Sequence, residues 1–182
     1  APDGKRAWVS LWNSGNIAEI DLESGKLRRS IRLTDSKTPR TSSAHSSEMV
    51  LSPLGYWLFV ALANSDEIAV VRTDNGAVVA HVGVGIEREQ AVGYQPSVLA
   101  FDKIGNRLLF GSSQTNSITS ISITQETLCI DCSAEDERKE FPAFHVQEKS
   151  RVSFPTQWYP SAIAVQGDNL LIANAKGVGT GP

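Results

Sequence analysis

Cysteine is nearly absent from this 182-residue chain, which carries only Cys129 and Cys132. That excludes a small scaffold built on a dense disulfide framework. Histidine is equally scarce, with His45, His81 and His145 alone, none of them beside paired carboxylates. A two-metal hydrolase centre, which needs clustered Asp and His, is therefore not encoded in this stretch. Positive charge is not in surplus either: 17 Lys and Arg against 20 Asp and Glu give a formal net charge of −3. The electrostatic footprint of a nucleic-acid or anionic-membrane binder is missing. No apolar run approaches the ~18 residues of a membrane span, and no helical period of usable length is present. No secretory leader precedes Ala1, but the chain opens at a turn, so this says little about compartment.

What the chain does contain is a sentence written more than once. Pro53 to Val71 reads PLGYWLFVALANSDEIAVV, a glycine turn, an apolar run, a polar turn and a second apolar run. The same order recurs as PDGKRAWVSLWNSGNIAEID at residues 2–21, as KIGNRLLFGSSQTNSITSIS at 103–122, and in shortened form as QGDNLLIANAKG at 166–177. The glycines in register are Gly4, Gly55, Gly105 and Gly167, spaced by 51, 50 and 62 residues, so the third unit holds an insertion. Short strands repeating at this period predict β-propeller blades. Closing such a ring takes roughly four to eight blades of four strands. The expectation is an all-β, seven-bladed-like propeller of four-stranded antiparallel blades, present as an incomplete segment of about three and a quarter blades and belonging to a longer protein.

Lettering the strands a to d from the inside outwards, the first unit (1–46) lacks a and reads b at 5–10, c at 16–21 and d at 26–33. The second (47–96) is complete, with a at 47–51, b at 57–61, c at 67–72 and d at 77–82. The third (97–160) has a at 97–101, b at 107–111, c at 117–122, an insert at 124–149 in place of the c–d turn, and d at 151–154. The fourth (161–182) begins with a at 161–165 and b at 169–173. The c–d turns end in Gly25 and Gly76, the latter within Asn75-Gly76, the strongest short hairpin signal in the chain. One short helical turn is placed after Ser133.

In an up-and-down blade the b–c and d–a loops share one face. The d–a connections, 34–46 and 83–95, are long, and long connections on a rigid scaffold are where binding concentrates. The candidate binding residues are therefore Trp12, Asn13, Asn64, Gln114 and Lys176 in b–c loops and His45 in a d–a connection. His45 and Glu48 are three residues apart but straddle a loop and a strand start, a poor metal geometry. His81, alternating with apolar neighbours in strand d, reads as an outer-strand surface residue. Trp12 is the aromatic ligand candidate, whereas Trp158 and Tyr159 are expected to pack between blades at the d–a corner.

Cys129-Ile130-Asp131-Cys132 is followed by Ser133 rather than His, which rules out covalent haem attachment. A disulfide, free thiols and metal ligands stay open, with the pair placed to staple the insert on the opposite face. The acidic run 135–140 reads as a solvated loop. The Lys176-Gly-Val-Gly-Thr-Gly-Pro182 run lacks the closing Gly-Lys-Ser/Thr of a phosphate loop and reads as a b–c loop.

Pro2-Asp3-Gly4, Leu58-Phe59-Val60-Ala61, Ile68-Ala69-Val70-Val71, Ile20-Asp21-Leu22-Glu23-Ser24-Gly25 and Leu171-Ile172-Ala173-Asn174 resemble the blades of YVTN-type repeat propellers. Phe154-Pro155-Thr156-Gln157-Trp158-Tyr159-Pro160, the segment 174–182 and Ala7-Trp8-Val9-Ser10-Leu11-Trp12 are similar to bacterial proteins in which such a propeller precedes a phosphoesterase domain of the alkaline-phosphatase superfamily. The resemblance implies an exported protein whose hydrolase chemistry lies downstream of Pro182.

Two functions compete. One is a non-catalytic scaffold that binds a small molecule or protein, uses no cofactor and has no catalytic residue in this segment. The other is a propeller enzyme, lactonase-like or dehydrogenase-like, with a site near the ring axis. The strand-a starts Ser46, Ser47, Pro96, Ser97, Pro160 and Ser161 are poor metal ligands and favour the first. Open blade edges are expected to pair with another copy of the chain.

Overall fold

The computed structural model describes residues 1–34, 44–85, 93–126 and 143–176. Among them are thirteen strands and no helix. In chain order these are β1 (Arg6–Leu11), β2 (Asn16–Asp21), β3 (Leu27–Arg32), β4 (Ser46–Leu51), β5 (Trp57–Leu62), β6 (Glu67–Arg72), β7 (Val78–Gly83), β8 (Pro96–Asp102), β9 (Arg107–Ser112), β10 (Ser117–Glu126), β11 (Ala143–Pro155), β12 (Pro160–Gln166) and β13 (Asn169–Asn174). They form four antiparallel sheets in strictly sequential order: β1-β2-β3, β4-β5-β6-β7, β8-β9-β10-β11 and β12-β13. These are strands b–d, a–d, a–d and a–b of four consecutive blades. The all-β propeller architecture expected from the repeats is the observed one.

Strand β5 shows why the second blade is central. All six of its residues are buried, and alternate side chains point to opposite faces. Trp57, Phe59 and Ala61 enter a core shared with Leu99, Phe101, Leu108 and Phe110 of the third blade. Leu58, Val60 and Leu62 enter a core shared with Ile17, Ile31 and Leu33 of the first. One strand thus packs two interfaces, which is why its sequence is continuously apolar rather than alternating. The Phe59 ring meets Phe101 at 5.8 Å and Phe144 at 5.7 Å between centroids.

Strands a of successive blades touch one another, β4 against β8 and β8 against β12. Serines at the same strand position tie them together. Ser47 Oγ donates to the Pro96 carbonyl at 3.5 Å, and Ser97 Oγ to the Pro160 carbonyl at 3.4 Å. The outer seam between blades one and two is ionic. Glu19, fully buried on β2, pairs with Arg29 at 2.9 Å, Arg28 at 3.6 Å and Arg6 at 3.8 Å. Arg6 Nη1 donates to the Thr73 carbonyl at 2.6 Å and Arg29 Nη2 to that of Asp74 at 3.2 Å, both in the next blade's c–d turn.

The c–d turns form where expected, as four-residue loops. In residues 73–76 the Gly76 N–H donates to the Arg72 carbonyl at 2.9 Å, and Gly76 alone takes a left-handed φ, of 77°. A Cβ there would also stand 3.0 Å from Arg29 Cδ and 3.1 Å from Ile31 Cδ1, so glycine is demanded by backbone and neighbour alike. In the first blade Asp21 accepts from the Ser24 N–H at 2.7 Å and hydroxyl at 2.8 Å, hydrogen bonds that hold its carboxyl below the usual range.

The third blade departs from expectation. The insert was placed at 124–149, yet β10 continues to Glu126 and β11 begins at Ala143, pairing Ser122 with Gln147 through Glu126 with Ala143. A bulge separates this extension from the blade's own pairing. It is plugged by Ser150, whose Oγ accepts from the Ser122 N–H at 2.8 Å and donates to the Gln147 carbonyl at 2.6 Å. Phe144 and Val146 pack on the core between blades two and three, which anchors the extension. The helical turn after Ser133, the acidic run and both cysteines lie outside the described residues.

Candidate functional site

The three complete b–c loops are four residues long and superimpose position by position. Residues 12–15, 63–66 and 113–116 each follow the end of a strand b, and Ala175 and Lys176 begin the same loop in the fourth blade. Asn13, Asn64, Gln114 and Lys176 all occupy the second position, and all four are exposed. The fourth position is left-handed throughout, as Gly15 (φ 63°), Asp66 (φ 53°) and Asn116 (φ 50°). Glycine, Asp and Asn are the residues that enter this region at least cost.

The residue immediately before each strand a is left-handed too: His45 (φ 48°), Gln95 (φ 50°) and Tyr159 (φ 59°). None is a residue type that chooses this conformation freely, and a repeated hydrogen-bond pattern holds it. Their carbonyls accept from the first b–c residue of the same blade, Ala63 at 3.2 Å, Ser113 at 3.1 Å and Ala175 at 2.9 Å. In turn Asp66 Oδ1 accepts from the Gln95 N–H, and Asn116 Oδ1 from the Tyr159 N–H, each at 2.8 Å. Each b–c loop therefore fastens the strand-a entry of the following blade, and that entry fastens its own b–c loop.

On this frame the side chains pair. Trp12 stacks on His45 with centroids 4.7 Å apart and planes inclined by 23°. Gln114 Nε2 donates to Gln95 Oε1 at 2.9 Å. Lys176 Nζ sits over the Tyr159 ring at 5.8 Å. Five of the six residues named from the sequence thus stand within or beside three consecutive pairs, from blades one to four. Asn13 and Asn64 share the loop position of Gln114 without joining a side-chain pair described here.

Trp158 and Tyr159 were expected to pack between blades, and in this chain they do not: they are 56% and 39% exposed. The left-handed φ of Tyr159 turns the corner outward, and its ring covers the stem of Lys176 instead. Gln95, Asp66 and Asn116 escaped the sequence reading. Their signal was positional, an Asp, Asn or Gly closing each b–c loop and a residue directly before each strand a.

Toward the axis, Ser46, Pro96 and Pro160 are buried and Ser47 and Ser97 make the seam bonds described above. Glu48, in β4, has its carboxyl raised above the ordinary range by desolvation, partly offset by the Met49 N–H. Among the described residues no three His, Cys, Asp or Glu side chains converge on a metal-binding geometry. His81 is an exposed outer-strand residue paired with Glu67 at 3.2 Å.

Solved structures share this architecture. The chain is similar to the hydrazine synthase of Kuenenia stuttgartiensis (TM-score 0.65, 16% identity, 94% of this chain and 39% of that one). It is also similar to a streptogramin B lyase (0.64, 13%, 97% and 46%) and to a candidate 6-phosphogluconolactonase of Bacteroides fragilis (0.58, 18%, 94% and 40%). The chain spans less than half the length of each of these structures, and identities this low establish the fold alone. A search among curated proteins gave no match. The family model described as "Lactonase, 7-bladed beta-propeller" matches residues 1–147, and with four blades of the required topology in place, the chain belongs to that family.

Proposed function

We propose that this chain is the ligand- or partner-binding segment of a propeller scaffold, acting through the rim of b–c and d–a loops, within a larger exported protein. The observation that carries this reading is the recurrence at one rim of an exposed side chain set against the residue preceding strand a: Trp12 on His45, Gln114 on Gln95 and Lys176 over Tyr159. Short loops locked by backbone hydrogen bonds present an aromatic face, an amide and a cation without further ordering, which suits recognition of a small polar molecule. The test is titration of the full chain with sugar acids and aldonolactones, followed by Trp fluorescence and amide NMR. Saturable shifts at Trp12 and Gln95, weakened at least tenfold by Trp12→Ala and unaccompanied by turnover, are expected. Binding that leaves the rim signals unmoved overturns the reading.

A second reading is favoured by family membership and by Glu48, a carboxyl of raised proton affinity in an innermost strand. Here the chain contributes to a lactone-hydrolysing site near the axis, with Glu48 as general base. Lactone turnover that survives Trp12→Ala and is lost in Glu48→Gln would establish it. The finer form of the scaffold reading places a phosphoesterase domain after the propeller and pairs open blade edges with a second copy. The intact reading frame and sedimentation of the chain test these two points.

A further inference from the structure

Away from the rim, a cleft of about 680 Å³ runs between the outermost strands of blades one and two, β3 and β7. Its floor and walls are Ile31, Val78 and Val79, its margin carries Arg29 and Arg32, and His81 closes one side. No Asp or Glu is among the residues that line it. At its inner end Gly76 lies against Arg29 and Ile31, so the cleft is shut there and open along the strands.

Three observations identify what fits. First, β3 and β7 are both sheet edges, each paired on one side only. An edge offers a row of main-chain donors and acceptors that an extended chain can use. Second, the charge of the lining is one-signed. Arg29 is committed to the buried Glu19, but Arg32 is exposed and, among the described residues, makes neither a hydrogen bond nor an ion pair. An exposed arginine presents a fork matched to carboxylates. Third, the side chains along the cleft alternate, with Ile31 and Leu33 buried and Ser30 and Arg32 turned to the surface. That is the period at which an added strand would present its own side chains.

We propose that the β3–β7 cleft is a second docking site, distinct from the rim, for an extended acidic peptide that alternates carboxylate and small apolar side chains. The peptide adds as a strand, its apolar side chains entering toward Val79 and its carboxylates meeting Arg32. This does not depend on the rim binding anything.

The test uses the full chain and a fluorescein-labelled peptide of alternating glutamate and valine, with an alternating lysine and valine peptide as control. Saturable anisotropy is expected for the acidic probe only, weakened tenfold or more by Arg32→Glu and several-fold between 50 and 200 mM salt. Hydrogen exchange should show new protection confined to Leu27–Arg32 and Val78–Gly83. Equal binding to Arg32→Glu, or protection elsewhere, overturns the proposal. Full competition by millimolar inorganic phosphate overturns it as well, reducing the cleft to a simple anion site. Since Arg32 has no structural partner, a matched melting temperature for Arg32→Glu separates lost docking from lost folding.

Discussion

Trp12 and His45 stack face to face, 4.7 Å apart, although they belong to consecutive blades and one of them is held in a left-handed backbone conformation. The contact therefore reports the relative placement of two blades. His45→Ala should remove the stack, shift the Trp12 emission and cost about 0.5–1.5 kcal/mol, the range for an aromatic pair. Fluorescence and thermal melting on the same sample check both.

Asp66 holds two N–H groups of the incoming d–a connection, Gly93 at 2.6 Å and Gln95 at 2.8 Å. Asp66→Ala is expected to cost about 1–3 kcal/mol, since it strands main-chain donors. Asp66→Asn, which keeps an acceptor and the tolerance for left-handed φ, should recover much of this. Urea unfolding of the two variants gives the comparison, and equal stability would contradict the fastening role.

Phe59 sits at the junction of the aromatic cluster between blades two and three and is fully buried. Phe59→Ala should destabilise by about 3–5 kcal/mol. Ile104→Ala, at a residue 79% exposed in an a–b turn, should stay within about 0.5 kcal/mol.

Glu19 is buried against three arginines that also reach the next blade. Glu19→Ala leaves those cations without their counter-charge and should cost about 3–5 kcal/mol. The loss should appear first as faster hydrogen exchange in Arg6–Leu11 and Leu27–Arg32, because the seam between blades one and two loosens before the rest.

Glu48 sets a pH dependence of opposite sign to the usual carboxylate. Desolvation raises its folded-state value, so the folded chain binds its proton more tightly than the unfolded chain does. Between the ordinary carboxylate range and that raised value, stability contributed at Glu48 falls as pH rises. Glu48→Gln should flatten this slope, and denaturant midpoints measured across the mildly acidic range reveal it. Exposed Asp3 and Asp21, both lowered first by backbone hydrogen bonds, work the other way and lose their stabilisation as pH falls.

The sequence disclosed what local periodicity controls. The spaced glycines, the β5 run and the Gly25 and Gly76 turns predict blades because one strand period and one turn type suffice to place them. Strand β11 was hidden since its extension, Phe144 to Gln147, is polar at alternate positions and looks like loop until Phe144 and Val146 are seen against the core of another blade. The left-handed conformations of His45, Gln95 and Tyr159 were equally hidden. No local preference encodes them, and hydrogen bonds from distant loops impose them. For the same reason Trp12 could be named as a candidate from its loop, while its partner could be named only as part of a connection.

Gly15 gives the rim its one dissimilar joint. In blades two and three the fourth loop residue carries an acceptor that grips the following blade, whereas at Gly15 a Cβ would lie 3.1 Å from the Ala44 nitrogen. The space where Asp or Asn would act is already taken by backbone. Adjustment between neighbouring blades is therefore least restrained by side-chain fastening at the point where Trp12 meets His45. A molecule wedging at that pair would meet a compliant joint, and one arriving at Gln95 or Tyr159 a stiff one.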